Sequence, residues 1–178
     1  GALAVSGSVY FVLVSLVFDA SPLRGPDDVA LFVGLVAGFE VPFMLLLPYA
    51  LRHLRRLTLI ASGAALYAAY LALLPPLAAT PYVWALPVLA GLGGAAILTL
   101  PIAYLQDRMA TRPGTGSALM AVQKVTSDTL CAAAFAAGTA LGGLGLTALL
   151  GAAIALLGAA LLLVADRTVP RARSGALS

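Results

Sequence analysis

A chain of 178 residues that is 62% hydrophobic and 10% charged, with mean hydropathy +1.05, cannot hide its apolar side chains in a soluble core, so lipid has to cover the outside. The net charge of +3 and pI near 9.4 do not point to nucleic acid, because the basic residues form no stripe with interleaved aromatics. The single cysteine, Cys131, excludes an internal disulfide, and the single histidine, His53, stands among arginines with no metal-ligand spacing around it, so no metal or cofactor is expected.

Six apolar runs follow one another. Residues 1–18 form the first, and the turn-rich DASPLRGPDD segment closes it. Residues 29–51 form the second. The third, 57–74, is expected to end at Pro75-Pro76. The fourth is 82–105, the fifth 115–141 with Gly142-Gly143 as its stop, and the sixth 144–165. Each is near the roughly 20 residues that cross about 30 Å of hydrocarbon. Strands would need polar alternation for a barrel lumen, so the spans are expected to be helices. The fold class predicted is therefore all-α integral membrane, with a six-helix domain over 1–166 and a polar tail over 167–178. The chain begins at Gly1 already inside an apolar run, without Met or a basic leader, which reads as a cut from something longer rather than as a signal peptide.

The arginines set the expected orientation. Arg52, Arg55 and Arg56 follow the second run, Arg108 and Arg112 the fourth, and Arg167, Arg171 and Arg173 the sixth. Arg24 stands alone on the other side, and Lys124 lies inside a span. By the positive-inside rule the arginine-rich loops and the C-terminus are cytoplasmic. Nine Arg against one Lys, with abundant Ala, hints at a GC-rich bacterial source and hence a bacterial cell membrane.

Short loops predict that consecutive spans are antiparallel neighbours. Both GxxxG stretches, Gly34–Gly38 and Gly138–Gly142, are expected to be ordinary close helix packing. Pro42, Pro48, Pro87 and Pro101 lie inside spans two and four, where breaks are expected. Buried charge occurs only in spans two and five, and spans three and six are the most uniformly apolar. That pattern suggests a 3+3 inverted repeat, with spans three and six at the lipid-facing periphery.

The intramembrane polar residues carry the chemistry. Glu40 stands eleven residues from each end of span two. Desolvation disfavours its ionised form, which makes it a candidate proton carrier; the alternative is a protonated acid bonded to a neighbouring helix. Lys124 and Asp128 are four apart on one face of span five and can pair. With Gln123, Thr126 and Ser127 they form a polar stretch wider than one helix contact, expected to line a wet space or face other protein; a self-satisfied pair that fixes packing is the alternative. Lys124 can neutralise one of the two acids, so Glu40 is expected to lack a fixed cation. Tyr10, Ser6 and Ser8 in span one are of a type to contact a hydroxylated ligand, with packing the favoured alternative for any single one. No nucleophile, base and orienting group come in a catalytic pattern, so no enzyme is expected.

Two stretches carry a family resemblance. Ala37-Gly38-Phe39-Glu40-Val41-Pro42-Phe43-Met44-Leu45 resembles the start of the eighth helix of bacterial sugar efflux transporters of the major facilitator superfamily. Tyr104-Leu105-Gln106-Asp107-Arg108-Met109, with Gly116-Ser117-Ala118 after it, resembles the link between their tenth and eleventh helices. The Arg52-His53-Leu54-Arg55-Arg56 loop resembles the second copy of the superfamily's basic loop motif, with Leu51 and Leu54 where an acid and a glycine are usual. The resemblance implies the C-terminal half of that fold, helices seven to twelve. It also implies proton-coupled antiport of sugars or similar hydroxylated solutes out of the cell, and an N-terminal six-helix half as partner, covalent or separate. A drug or amphiphile exporter of the same superfamily and a non-transporting membrane scaffold are the competing expectations.

Overall fold

The structure is a computed structural model that describes the backbone of residues 2–108 and 113–168, with side chains over 9–103, 121–122 and 124–164. Among the described residues it is helical, without strands. Five helices and one 3-10 turn run α1 Ala2–Asp19, α2 Pro26–His53, α3 Arg56–Leu77, the turn Pro81–Ala85, α4 Leu86–Arg108 and α5 Pro113–Thr168. Four stretches are long and apolar enough to cross a membrane: Pro26–His53, Arg56–Leu77, Pro81–Ala103 and Lys124–Val164. The last is 41 residues, about twice the length one crossing needs.

That long element is not straight. Gly143 has φ 71° and ψ −160°, a conformation open in practice only to glycine. A Cβ built on Gly138 would lie 2.7 Å from the Thr147 Cα. Nine residues of unbroken helix would hold those positions about 13 Å apart, so the chain folds back on itself at Gly143. The inner faces of both arms are small. Ser127, Cys131, Ala134 and Gly138 are buried on the first, and Ala148, Ala152, Ala155 and Ala159 on the second, each set at helical spacing. Gly151 on the second arm approaches Val9 of α1 and Leu71 of α3.

The packing order departs from the sequence expectation. α2 and α3, joined by a two-residue link, touch little; α2 packs chiefly on α4, and α3 on α4 and α5. The cause is a glycine cluster on α4. Gly91 and Gly94 face α2, where a Cβ on Gly91 would meet the Phe39 Cβ at 2.7 Å. Gly93 faces α3, where its Cβ would meet the Gly63 carbonyl oxygen at 2.8 Å and the Tyr67 nitrogen at 2.9 Å. Two backbones are thereby drawn onto opposite sides of α4, and dispersion contacts accumulate along both seams. α3 is consequently interior, with Ile60, Ala64, Tyr67, Ala68, Tyr70, Leu71 and Leu74 buried. This overturns the peripheral place expected for span three: uniform apolarity marks a helix surrounded by protein as readily as one surrounded by lipid.

Three further expectations are corrected. Gly34 and Gly38 have open space where a Cβ would go, so the first GxxxG packs against nothing. α3 runs through Pro75-Pro76 to Leu77; both prolines fall in its last turns, so little helix follows them to be broken. Pro87 is the second residue of α4, where its missing N–H would have had no helical acceptor, and not an interior break. Pro42 and Pro48 are interior to α2, and Pro101 to α4.

One end of the bundle is tied by a single side chain. Arg24, in the α1–α2 loop, donates from Nε to the Ala78 carbonyl at 3.0 Å and from Nη2 to the Thr80 carbonyl at 2.8 Å. Its guanidinium lies 5.4 Å from the Trp84 ring centroid. Beneath it Phe18, Phe32, Tyr70 and Trp84 form an aromatic core from α1, α2, α3 and the 3-10 turn.

Candidate functional site

Glu40 sits at the middle of α2, half-buried. Its turn of helix is weakened, because Pro42 has no N–H to give the Gly38 carbonyl. The carboxyl does not point free of the bundle. It lies on Gly94 of α4, where a Cβ would be 3.3 Å from its Cδ and 3.6 Å from its Cγ and would collide with Oε1. Gly91, one turn earlier, brings the same stretch of α2 close: its Cβ would stand 3.1 Å from the Glu40 nitrogen. Glycine at 94 leaves room for the acid, and glycine at 91 for the α2 backbone.

Tyrosines approach the acid from two other helices. Glu40 is within electrostatic reach of Tyr10 on α1 and of Tyr67 on α3. Tyr67 and Tyr70 meet edge to face at 5.4 Å between centroids, and Tyr10 and Tyr70 at 5.9 Å. The Tyr10 and Tyr70 hydroxyls are buried without a hydrogen-bond partner. Each such group costs about 1–3 kcal/mol, an expense that a packing role alone, served equally by Phe, does not require. Among the described residues no ion pair reaches Glu40. Four helices thus bring an unpaired carboxyl, a glycine wall and phenolic hydroxyls to one level of the bundle. The set can exchange a proton or hydrogen-bond a polar solute.

The other sequence-predicted residues form a separate group. On the first arm of α5, Lys124 Nζ and Asp128 Oδ2 pair at 3.0 Å, with the side chains 77% and 51% exposed. Thr126 is exposed and turns its hydroxyl back to the Val122 carbonyl at 2.8 Å. Ser127 is buried and has an interaction of its own. The side chain of Gln123 lies outside the described residues, as do those of Ser6, Ser8, Tyr104, Arg108, Arg112 and Arg167; of the tail 167–178, only the backbone of 167–168 is described. The polar stretch is therefore split, with Ser127 inward and the charged pair outward. α2 and α5 share little packing, so this group does not join Glu40.

Sequence reasoning singled out Glu40 and Tyr10 but not Tyr67, Tyr70 or Gly94. Tyr67 and Tyr70, three apart in an otherwise apolar helix, read equally as packing, whereas Gly91, Gly93 and Gly94 within four residues of α4 were a visible signal. A cavity of about 380 Å³ lies elsewhere, at the Arg24 end, lined by Ser15, Leu16, Asp19, Arg24, Gly25, Pro26 and Val29. Among the described residues no group of three His, Cys, Asp or Glu comes together to hold a metal. Set beside known protein families, characterised proteins and solved structures, the chain has no match.

Proposed function

We propose that the chain is one half of a proton-coupled secondary transporter of the major facilitator kind, exporting sugars or related hydroxylated solutes. In this reading the α5 hairpin supplies two crossings, α1 to α4 one each, and the six form a 3+3 repeat. The arginine-rich loops and the C-terminus face the cytoplasm of a bacterial cell. The observation that carries the reading is the mid-helix Glu40 carboxyl, set against Gly94 and within electrostatic reach of Tyr10 and Tyr67, with no ion pair among the described residues. A membrane scaffold needs neither a mid-helix acid nor buried phenols without partners. An enzyme reading has no nucleophile with a base beside it among these residues.

A second half is supported by what is left uncovered. Val41, Leu45, Leu46 and Tyr49 of α2 and the Lys124–Asp128 pair of α5 are exposed. A charged pair facing hydrocarbon is costly, so a neighbouring protein body or a wet cavity suits it better than lipid. We assign that neighbour as the N-terminal six-helix half.

The test is transport in everted membrane vesicles holding the protein with that half. Glu40→Gln keeps shape and hydrogen bonding but cannot titrate. It should fold and express normally while losing solute movement driven by a pH gradient. Wild-type rate and pH dependence in the variant would leave Glu40 a ligand contact or a packing residue. Substrates that are amphiphilic cations and not sugars would select the drug-exporter reading.

A further inference from the structure

We infer that Gly94 is the positioning residue for the Glu40 carboxyl: the missing side chain at this one place on α4 admits the acid into the seam between α2 and α4. The inference rests on the reading of Glu40 as a functional acid.

The geometry is specific. A Cβ at Gly94 would collide with Glu40 Oε1 and stand 3.3 Å from Cδ, while its neighbour Gly93 meets α3 and not the acid. The atoms nearest a Cβ at Gly94 are all of the Glu40 side chain, whereas those nearest one at Gly91 belong to Phe39 and the Glu40 backbone. Gly91 therefore sets how close the helices come, and Gly94 sets where the carboxyl goes. On the open side α2 has nothing to hold the acid: Val41 and Pro42 are exposed and the Gly38 position has no neighbour within 4 Å. A methyl group at Gly94 would turn the flexible end of Glu40 out of the seam, toward that open side. Among the described residues, Tyr10 on α1 and Tyr67 on α3 are the titratable groups of other helices within electrostatic reach of it; Gly94 itself adds none.

Carbodiimide labelling reads the carboxyl's surroundings without needing transport. Bilayer-soluble carbodiimides modify protonated carboxyls in apolar surroundings, and peptide mass identifies the residue. In membranes holding the full protein, Glu40 should label at neutral pH. Gly94→Ala should slow that labelling severalfold, because the carboxyl leaves the apolar seam for the open side of α2. Gly34→Ala, on Glu40's own helix where a Cβ meets nothing within 4 Å, should leave it unchanged. Glu40→Asp in the Gly94→Ala background withdraws the carboxyl by one methylene and should restore labelling. Wild-type labelling in Gly94→Ala overturns the inference. Should Gly94→Ala alone fail to fold, the pair decides: a monodisperse, labelled double variant supports positioning, and one as defective as the single variant overturns it. The two readings fail separately. Labelling that responds to Gly94→Ala while Glu40→Gln transports normally removes the coupling role and keeps the positioning. Labelling indifferent to Gly94→Ala while Glu40→Gln abolishes transport removes only the positioning.

Discussion

Gly138 and Thr147 are nine residues apart in one helical element, yet a Cβ on Gly138 would stand 2.7 Å from the Thr147 Cα and 2.9 Å from its Cβ. The α5 hairpin closes on this contact, with Thr147 fully buried and its hydroxyl donating to the Gly143 carbonyl at 3.0 Å. Gly138→Val should force the arms apart and cost about 1–3 kcal/mol, as overpacking does. Gly143→Ala should cost about as much through backbone strain alone. Gly145→Ala, in open space at helical φ, should be neutral or stabilise by about 0.4–1 kcal/mol. Thermal unfolding in detergent checks all three. Equal effects at positions 138 and 145 would mean that the hairpin contact carries no energy.

Arg24 makes the second prediction. Its planar fork serves two carbonyls at the end of α3 while its face lies on Trp84. Lysine keeps the charge but cannot hold that geometry. Arg24→Lys should recover little of the roughly 1–3 kcal/mol lost in Arg24→Ala. Trp84 is the single tryptophan, so its emission reports the change directly. Emission identical to wild type in both variants would show that the clamp does not hold.

The helical class was legible in the sequence, because apolar runs of membrane length leave few alternatives. Helix neighbours were not. Loop length implied that α2 lies beside α1 and α3, whereas the glycines of α4 decided the matter. The GxxxG rule picked out Gly34 and Gly38, which touch nothing, and passed over Gly91, Gly93 and Gly94, whose spacing serves two partners instead of one. A pattern in one helix does not say which face is covered; that depends on the partner's surface. Glu40 could be read because an acid at mid-span is conspicuous by its cost. Tyr67 and Tyr70 could not be told from packing until α1 brought Tyr10 beside them.

Topology gives a third prediction. The Arg24 loop and the Arg52–Arg56 loop lie at opposite ends of α2. With Cys131 replaced by Ala, single cysteines at exposed Leu23 and Leu54 should label from opposite sides of sealed vesicles. The Leu54 position should be reached from the side that bears the other arginine-rich loops. Labelling of both from one side would mean that α2 does not cross.

The exposed pair on α5 yields the last prediction. Lys124 and Asp128 pair at 3.0 Å, and their side chains are 77% and 51% exposed. Val122 and Val125 beside them are exposed too, so the surface is mixed and not uniformly apolar. Facing lipid, such a pair would be paid for without return; facing water or protein, it costs little. A nitroxide at position 128, after Asp128→Cys, separates the cases. It should relax with a water-soluble nickel reagent, or be shielded from nickel and oxygen alike where protein covers it. A label at exposed Leu161 on the second arm should instead respond to membrane-dissolved oxygen. Exchanging the two charges, Lys124→Asp with Asp128→Lys, should leave thermal stability within about 0.5 kcal/mol, because an exposed i,i+4 pair contributes little in either order. Association with a second half should weaken in the exchanged form if that body reads the order of charges. An oxygen-accessible label at 128 indistinguishable from that at 161 would place the pair in lipid and remove the case for a neighbour on this face.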